Sequence, residues 1–454
     1  MAVSAQIGQS AAGHDARGLA LSCFDSKAIF AAEQGIWRLI SFFGNPLDEF
    51  DAALTLAPDF VMAHVMRADF CLLQSERSFL SDAANSLQQA ASHNAHANVR
   101  ERQHVAASRL CLEGKWEEAC LAWDAIVTDY PHDILALFNA HIMDFYRGDS
   151  LNLRRRLTGV LPFWSKNDPL YSYVLGMHAF GLEECNFYAQ AEDTGRRALE
   201  LEKRDPWSVH AVTHVMEMQG RIDDGIDWLT SRMGDWAPDN GLAFHNWWHL
   251  ALFNLERGDY AAALEVFDTR IGVPTPAMSL QLVDATALLW RLHLLGADVG
   301  NRWHAIAQAW ANRDKLERGY YAFNDIHALL ALIGAGRMEE AEDFHSNEGV
   351  VTGTNAMMVR DVGRPLIPAM IAFAKGQNEK AANQLLAVRS CASRMGGSHA
   401  QRDLIEQTLL VAAIRAGNKA LAERMANERL LTKPHSPLAR RWLNEARAAL
   451  PLAS

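Results

Sequence analysis

Apolar residues recur at i, i+3, i+4 and i+7 in segment after segment of this 454-residue chain, the spacing that lines one face of an α-helix. Alternating strand patterns are scarce, and the β-branched residues never gather into a set of strands. The pattern predicts an all-α fold. Its helices come in a repeated phrase: an apolar helix, then Gly with a polar neighbour, then an Ala-rich amphipathic helix. The phrase reads GKWEEACLAWDAI from Gly114, GRIDDGIDWL from Gly220, GDYAAALEVFDTRI from Gly258, GRMEEAEDF from Gly336, GQNEKAANQLL from Gly376 and GNKALAERMA from Gly417. A looser copy, NFYAQAEDTGRRALEL, starts at Asn186 without the glycine.

Neighbouring glycines stand 34 (Gly114 to Gly148), 38 (Gly220 to Gly258), 40 (Gly336 to Gly376) and 41 (Gly376 to Gly417) residues apart. Each phrase predicts a helical hairpin whose glycine supplies the left-handed turn ending the first helix. Periods of this size, unevenly kept, predict a tetratricopeptide-like α-solenoid of degenerate helical hairpins. One hairpin cannot bury its own apolar face, so stacked neighbours must form the core. No Ser- or Pro-rich linker divides the chain, so residues 46–454 read as one continuous helical-repeat solenoid. Residues 1–45 read as an N-terminal tail and capping helix. In such arrays the first helix of each hairpin lines the concave surface and the second covers the outside.

Composition narrows the class. Hydrophobic residues at 49% and charged residues at 21% exclude wholesale disorder. Lys and Arg number 43 against 54 Asp and Glu, a net charge of −11, whereas nucleic-acid binders show a basic balance, so no nucleic-acid partner is expected. No run approaches ~18 consecutive apolar residues, so no membrane span is expected. The opening MAVSAQIGQSAAGHDARG lacks the basic-then-apolar order of a signal peptide. Cys23, Cys71, Cys111, Cys120, Cys185 and Cys391 have no CxxC or framework spacing. They suit reduced, buried thiols in a cytoplasmic protein.

The first helices carry polar residues where a plain solenoid places apolar ones. WSVHAVTHVMEMQ holds His210 and His214 at i, i+4 with Glu217 three residues on, and AFHNWWHLALFNLE holds His245 and His249 at i, i+4 beside Trp248. AFNDIHALLALIGA carries Asn324, Asp325 and His327, and VDATALLWRLHLLG carries Asp284 and Arg291. Arg360, Asp361 and Arg364 open the helix of RDVGRPLIPAM, and Arg402 and Asp403 follow GGSHAQ, where Ser398 and Gln401 predict a capping box. Counted back from their glycines, His210, His249, His327 and Arg364 fall at similar depths. Stacking would bring them around a common groove or pocket.

Two readings of the His-x-x-x-His pairs stand open. Both imidazoles of each pair share one helix face, so His210, His214, His245 and His249 could ligate a transition metal such as zinc. The pattern lacks the Glu of HExxH and lacks Cys ligands. The other reading is a buried hydrogen-bonded network with no metal. In a catalytic role His210, His214, His245, His249 and His327 would serve as acid, base or ligand, with Asp284 or Asp325 orienting one of them. Glu217, Trp248, Asn324, Asp325, Arg360, Asp361, Arg364 and Arg402 are the candidates for ligand contact. The arginines either clamp a carboxylate or phosphate or pair with Asp361, Asp403 or Asp284 to tie repeats together. Phosphate-binding glycine loops, G-x-S-x-G elbows and dinucleotide fingerprints are missing.

The series DPWSVHAVTHVMEM, HNWWHLALF, FNDIHALL, RDVGRPL and GGSHAQRD resembles the tetratricopeptide repeat protein 38 family. The segments around His64, His104, His141 and His178 are similar to earlier blocks of that family, so the likeness runs from about residue 50 onward. It departs at His399, where the vertebrate member has Asn. The resemblance implies a divergent tetratricopeptide-like solenoid and cytoplasmic residence, and it brings no activity with it.

The residues therefore point to a concave His/Asp/Arg/Trp-lined pocket for a small polar molecule or short peptide, with hydrolytic or metal-assisted chemistry left open. The alternative is a protein–protein interaction scaffold that uses the solenoid groove without catalysis. Whether the chain is an enzyme stays undecided by sequence, and a homo-oligomer fits the large faces of a solenoid.

Overall fold

The hairpin glycines decide the architecture. In the computed structural model, which describes residues 13–346 and 352–448, Gly114, Gly148, Gly220, Gly258, Gly336, Gly376 and Gly417 all have φ between +68° and +88°. After each of them the next residue donates its N–H to the carbonyl five positions back: Arg221 to Met216 at 2.8 Å, Asp259 to Asn254 at 2.9 Å, Gln377 to Ala372 at 2.9 Å. That bond closes the Schellman motif and satisfies a carbonyl the helix end leaves over. At the looser copy Asn186 takes the same left-handed conformation, with φ of +64°, as Asn does more readily than bulkier residues.

The described residues form helices joined by short turns, with two isolated bridges and no strand. The all-α, tetratricopeptide-like array of degenerate hairpins follows from the element order. Val61–Leu72 is followed by Leu80–Ser92, Val99–Leu112 by Trp116–Asp129, Ile134–Arg147 by Ser150–Val160, and Tyr171–Glu183 by Tyr188–Leu201. Pro206–Gln219 then leads to Ile222–Ser231, Ala243–Arg257 to Tyr260–Val266, Ser279–Leu294 to Arg302–Glu317, and His399–Arg415 to Lys419–Thr432. Ser26–Ser41 stands ahead of the array, and residues 1–12 of the expected tail lie outside the described residues.

Most first helices are buried nearly all round, Val99–Leu112 being half-buried, whereas second helices keep a wet face. Ala322–Gly334 buries Phe323, Ile326, Leu329, Leu330 and Leu332, while Ser150–Val160 buries only Leu153, Arg156, Leu157 and Val160. The contacts divide the chain into two compact units. One comprises residues 1–212 with 234–243; the other comprises 213–233 with 244–454. The boundary falls inside the helix Pro206–Gln219. In the second unit Trp290 donates to Thr408 Oγ1 and Trp310 to Thr286 Oγ1, both at 2.9 Å, so buried indoles find acceptors across the core.

Candidate functional site

Four helices set the polar centre of the second unit. Pro206–Gln219 starts where Asp205 accepts the N–H groups of Trp207 and Ser208, with Pro206 at its first position, and it stops at Gly220. Ala243–Arg257 runs to Gly258 and carries His245 and His249 one turn apart on one face. Ser279–Leu294 brings Asp284 and Arg291. His399–Arg415 begins with the expected capping box, the Ser398 side chain accepting from Gln401 N–H and Gln401 Oε1 accepting from Ser398 N–H.

The side chains meet as imidazole–carboxylate pairs. His245 Nδ1 lies 2.7 Å from Asp284 Oδ2, and His249 Nδ1 lies 2.7 Å from Glu217 Oε2. In each pair Nδ1–H donates to the carboxylate, which fixes the tautomer and leaves Nε2 as the nitrogen with the lone pair. The His214 ring stands 4.5 Å from that of His249 at 64°, and the His245 and His249 rings are 4.7 Å apart at 81°. His214, His245 and His249 each offer a ring nitrogen within 4.8 Å of the others. His214 and His249 are completely buried. Burial, with the His214 and His245 rings, Arg291 and Lys433 nearby, holds the His249 imidazole well below its usual range. It is therefore neutral at pH 7.

A second layer braces these pairs. Gln401 Nε2 reaches Asp284 Oδ1 at 3.4 Å, and Lys433 Nζ stands 3.9 Å from Glu217 Oε1. Arg291, placed by sequence seven residues after Asp284, instead donates to the carbonyls of Ala287 at 3.0 Å and Ala400 at 2.5 Å. Its guanidinium lies 5.3 Å over the ring of Trp248. Trp248 is wholly buried, stacks on His245 at 5.1 Å and meets His249 edge-on at 4.9 Å. It forms a wall for the imidazoles themselves. Beyond Arg291, Asp403 and Arg429 form a two-pronged pair at 2.5 and 2.7 Å. Burial alone would raise the Asp403 carboxyl, but Arg429 beside it holds it well below the usual range.

His210 precedes His214 by one turn of the same helix, on the first-unit side of the boundary, and its ring lies 5.3 Å from that of Phe180. The remaining candidates are placed elsewhere. His327 Nδ1 donates to the Phe323 carbonyl of its own helix at 2.8 Å and its ring packs on Phe323 at 4.5 Å. Asn324 is buried, and Asp325 accepts from Gly319 N–H at 3.1 and 3.2 Å. Arg360 pairs with its neighbour Asp361 at 2.6 Å at the surface, and Arg394 joins them at 3.3 Å. The Arg360 pair lies within a single turn and so ties no repeats together. Arg364 is exposed, and Arg402 donates to the Gly397 carbonyl of the preceding turn.

The first-helix residues expected around an open groove are thus mostly packed between helices. A cavity in the second unit, bordered by Glu217, Arg291, Asp403, Arg429 and Lys433, measures about 20 Å³, room for about one water molecule.

Sequence reading missed a comparable network in the first unit. Asp133 accepts from Arg100 at 2.7 Å and from His104 at 2.8 Å, and Asp69 accepts from Ser108 at 2.5 Å and Asn139 at 2.6 Å. Burial raises the Asp69 carboxyl to about 6 against the pull of those donors. The His104–Asp133 and Asn139–Asp69 partners stand 29 and 70 residues apart, so no local spacing announces them. The available signal was the placement of His104 and His141 on first helices.

No family model matches the chain. Among solved structures it is similar to the human IFIT1 dimer with m7Gppp-AAAA, at 13% identity over 93% of this chain and 94% of that one, with a TM-score of 0.44. It is also similar to a chain of the APC/C hetero-tetramer Cut9-Hcn1 (10% identity, 93% and 76% covered, TM-score 0.41) and to a tetratricopeptide repeat protein from Parabacteroides merdae (13% identity, 61% and 98% covered, TM-score 0.35). Scores below 0.5 decide nothing about function, and the fold assignment stands on the hairpins themselves.

Proposed function

We propose that the chain is a helical-repeat scaffold that binds a protein partner along the exposed faces of its hairpins. The observation that carries this reading is the tightness of the second unit's polar centre. His214 and His249 are wholly buried, and the adjoining cavity of about 20 Å³ is far below the hundreds of Å³ of small-molecule sites. A net charge of −11 favours a protein partner over nucleic acid. The free cysteines, four of them buried, favour a reducing compartment such as the cytoplasm. The quoted sequence blocks support membership in the tetratricopeptide repeat protein 38 family.

A second reading draws on the two imidazole–carboxylate pairs, an arrangement also suited to general-base chemistry on a small polar ligand or short peptide. It requires the centre to open. The two readings separate in one experiment. A partner recovered by affinity capture is purified and the complex is rebuilt from pure components. Cross-links are expected on second-helix residues, with the dissociation constant unchanged within about twofold in His249→Gln, a loss far smaller than truncating an interface hot spot causes. Turnover of a small substrate by the isolated chain, abolished by His249→Gln, would overturn the scaffold reading.

A further inference from the structure

We propose that His214, His245 and His249 bind one divalent transition-metal ion of the zinc class, with Asp284 and Glu217 as the outer carboxylates that orient two of the ligands. The inference is independent of the partner-binding reading: an ion fits where an organic molecule does not.

Three observations converge. The first is the donor set. Three imidazoles offer nitrogens within 4.8 Å of one another, and nitrogens sharing one tetrahedral zinc stand about 3.4 Å apart. Closing on an ion thus asks for a movement of about an ångström. The three residues come from two helices, Pro206–Gln219 and Ala243–Arg257, so an ion would staple two successive hairpins.

The second is the outer layer. A metal-bound histidine characteristically donates its remote ring N–H to a carboxylate. His245 does so to Asp284 and His249 to Glu217, each at 2.7 Å. Both bonds use Nδ1, so the lone pairs lie on Nε2, and neither carboxylate is itself needed as a ligand. Asp284 is steadied in turn by the capping residue Gln401 at 3.4 Å.

The third is the surrounding charge. The cationic groups nearby are already engaged: Lys433 with Glu217, and Arg291 with backbone carbonyls and the Trp248 face. Imidazole donors without thiolate select zinc, copper, nickel or iron, and exclude calcium and magnesium as preferred ions.

The test uses untagged full-length chain, stripped with chelator, desalted and titrated with zinc chloride alone against a chromophoric competitor, and separately with cobalt chloride. Expected are about one equivalent of zinc per chain, a rise in melting temperature on zinc addition, and the intense visible bands of four-coordinate cobalt. In His245→Gln/His249→Gln the bands and the melting shift should vanish. Should that variant fail to fold, Asp284→Asn keeps all three ligands and should weaken zinc about 10–100-fold. A stripped wild type that folds, binds no zinc or cobalt at a hundredfold excess and shows no melting shift overturns the proposal. Unchanged affinity in both variants overturns it equally.

Discussion

A histidine buried away from water lowers its own affinity for protons, and this chain buries several. His327, with Nδ1 on the Phe323 carbonyl, falls to about 4, and burial takes His141 to about 3 and His178 to about 4. The sign follows from linkage. The unfolded chain takes up the proton below its ordinary value near 6.5, while the folded chain refuses it until about 4 for His327. Stability is therefore full above 6.5 and is lost as pH falls from there towards 4. Between pH 7 and pH 5, His327 alone should cost about 2 kcal/mol. Urea denaturation at the two pH values should show the stability difference of His327→Gln smaller than wild type by about that amount. An unchanged difference would mean that His327 does not carry this proton uptake. At this scale the i, i+4 pairs were legible in the sequence, since helical spacing alone puts His245 and His249 on one face. Their partners were less so: Asp284 could be named as an orienting carboxylate, but Arg291 turns to the Ala400 carbonyl because the capping turn at Ser398 packs against it.

Among the elements, glycine does two separate jobs. Gly376 has φ of +72°, and a Cβ added there would meet nothing within 4 Å, so Gly376→Ala should cost only the left-handed backbone penalty of roughly 1–2 kcal/mol. Gly181 sits inside the helix Tyr171–Glu183, where a Cβ would lie 2.6 Å from the Leu153 carbonyl oxygen. The two helices must part to admit it, and the cost should reach about 3 kcal/mol. Chemical denaturation of the two variants tests the order; equal losses would contradict it. The turn glycines were legible because the repeat phrase marks them. Gly181 was not, since a helical glycine advertises nothing about which backbone passes beside it. The π-helical turns Phe267–Ile271 and Val359–Gly363 were equally silent, each adding a residue that the 3.6 period does not announce.

Across the whole molecule, hairpin periodicity carried the fold and charge carried little of the function. No helix of the described residues is long and apolar enough to cross a membrane. The size of the polar centre was beyond the reach of sequence, because it depends on how Trp248, Arg291 and the 399–415 helix close over the imidazoles. A pocket and a packed ion site share the same residue list. Native mass spectrometry of untagged chain, purified without chelator, separates them directly. The expected spectrum is the chain mass plus one divalent transition-metal ion, with no organic adduct, and loss of the ion in His245→Gln/His249→Gln. A stoichiometric organic molecule retained by the wild type and lost in that variant would contradict the ion site and return the centre to a ligand pocket.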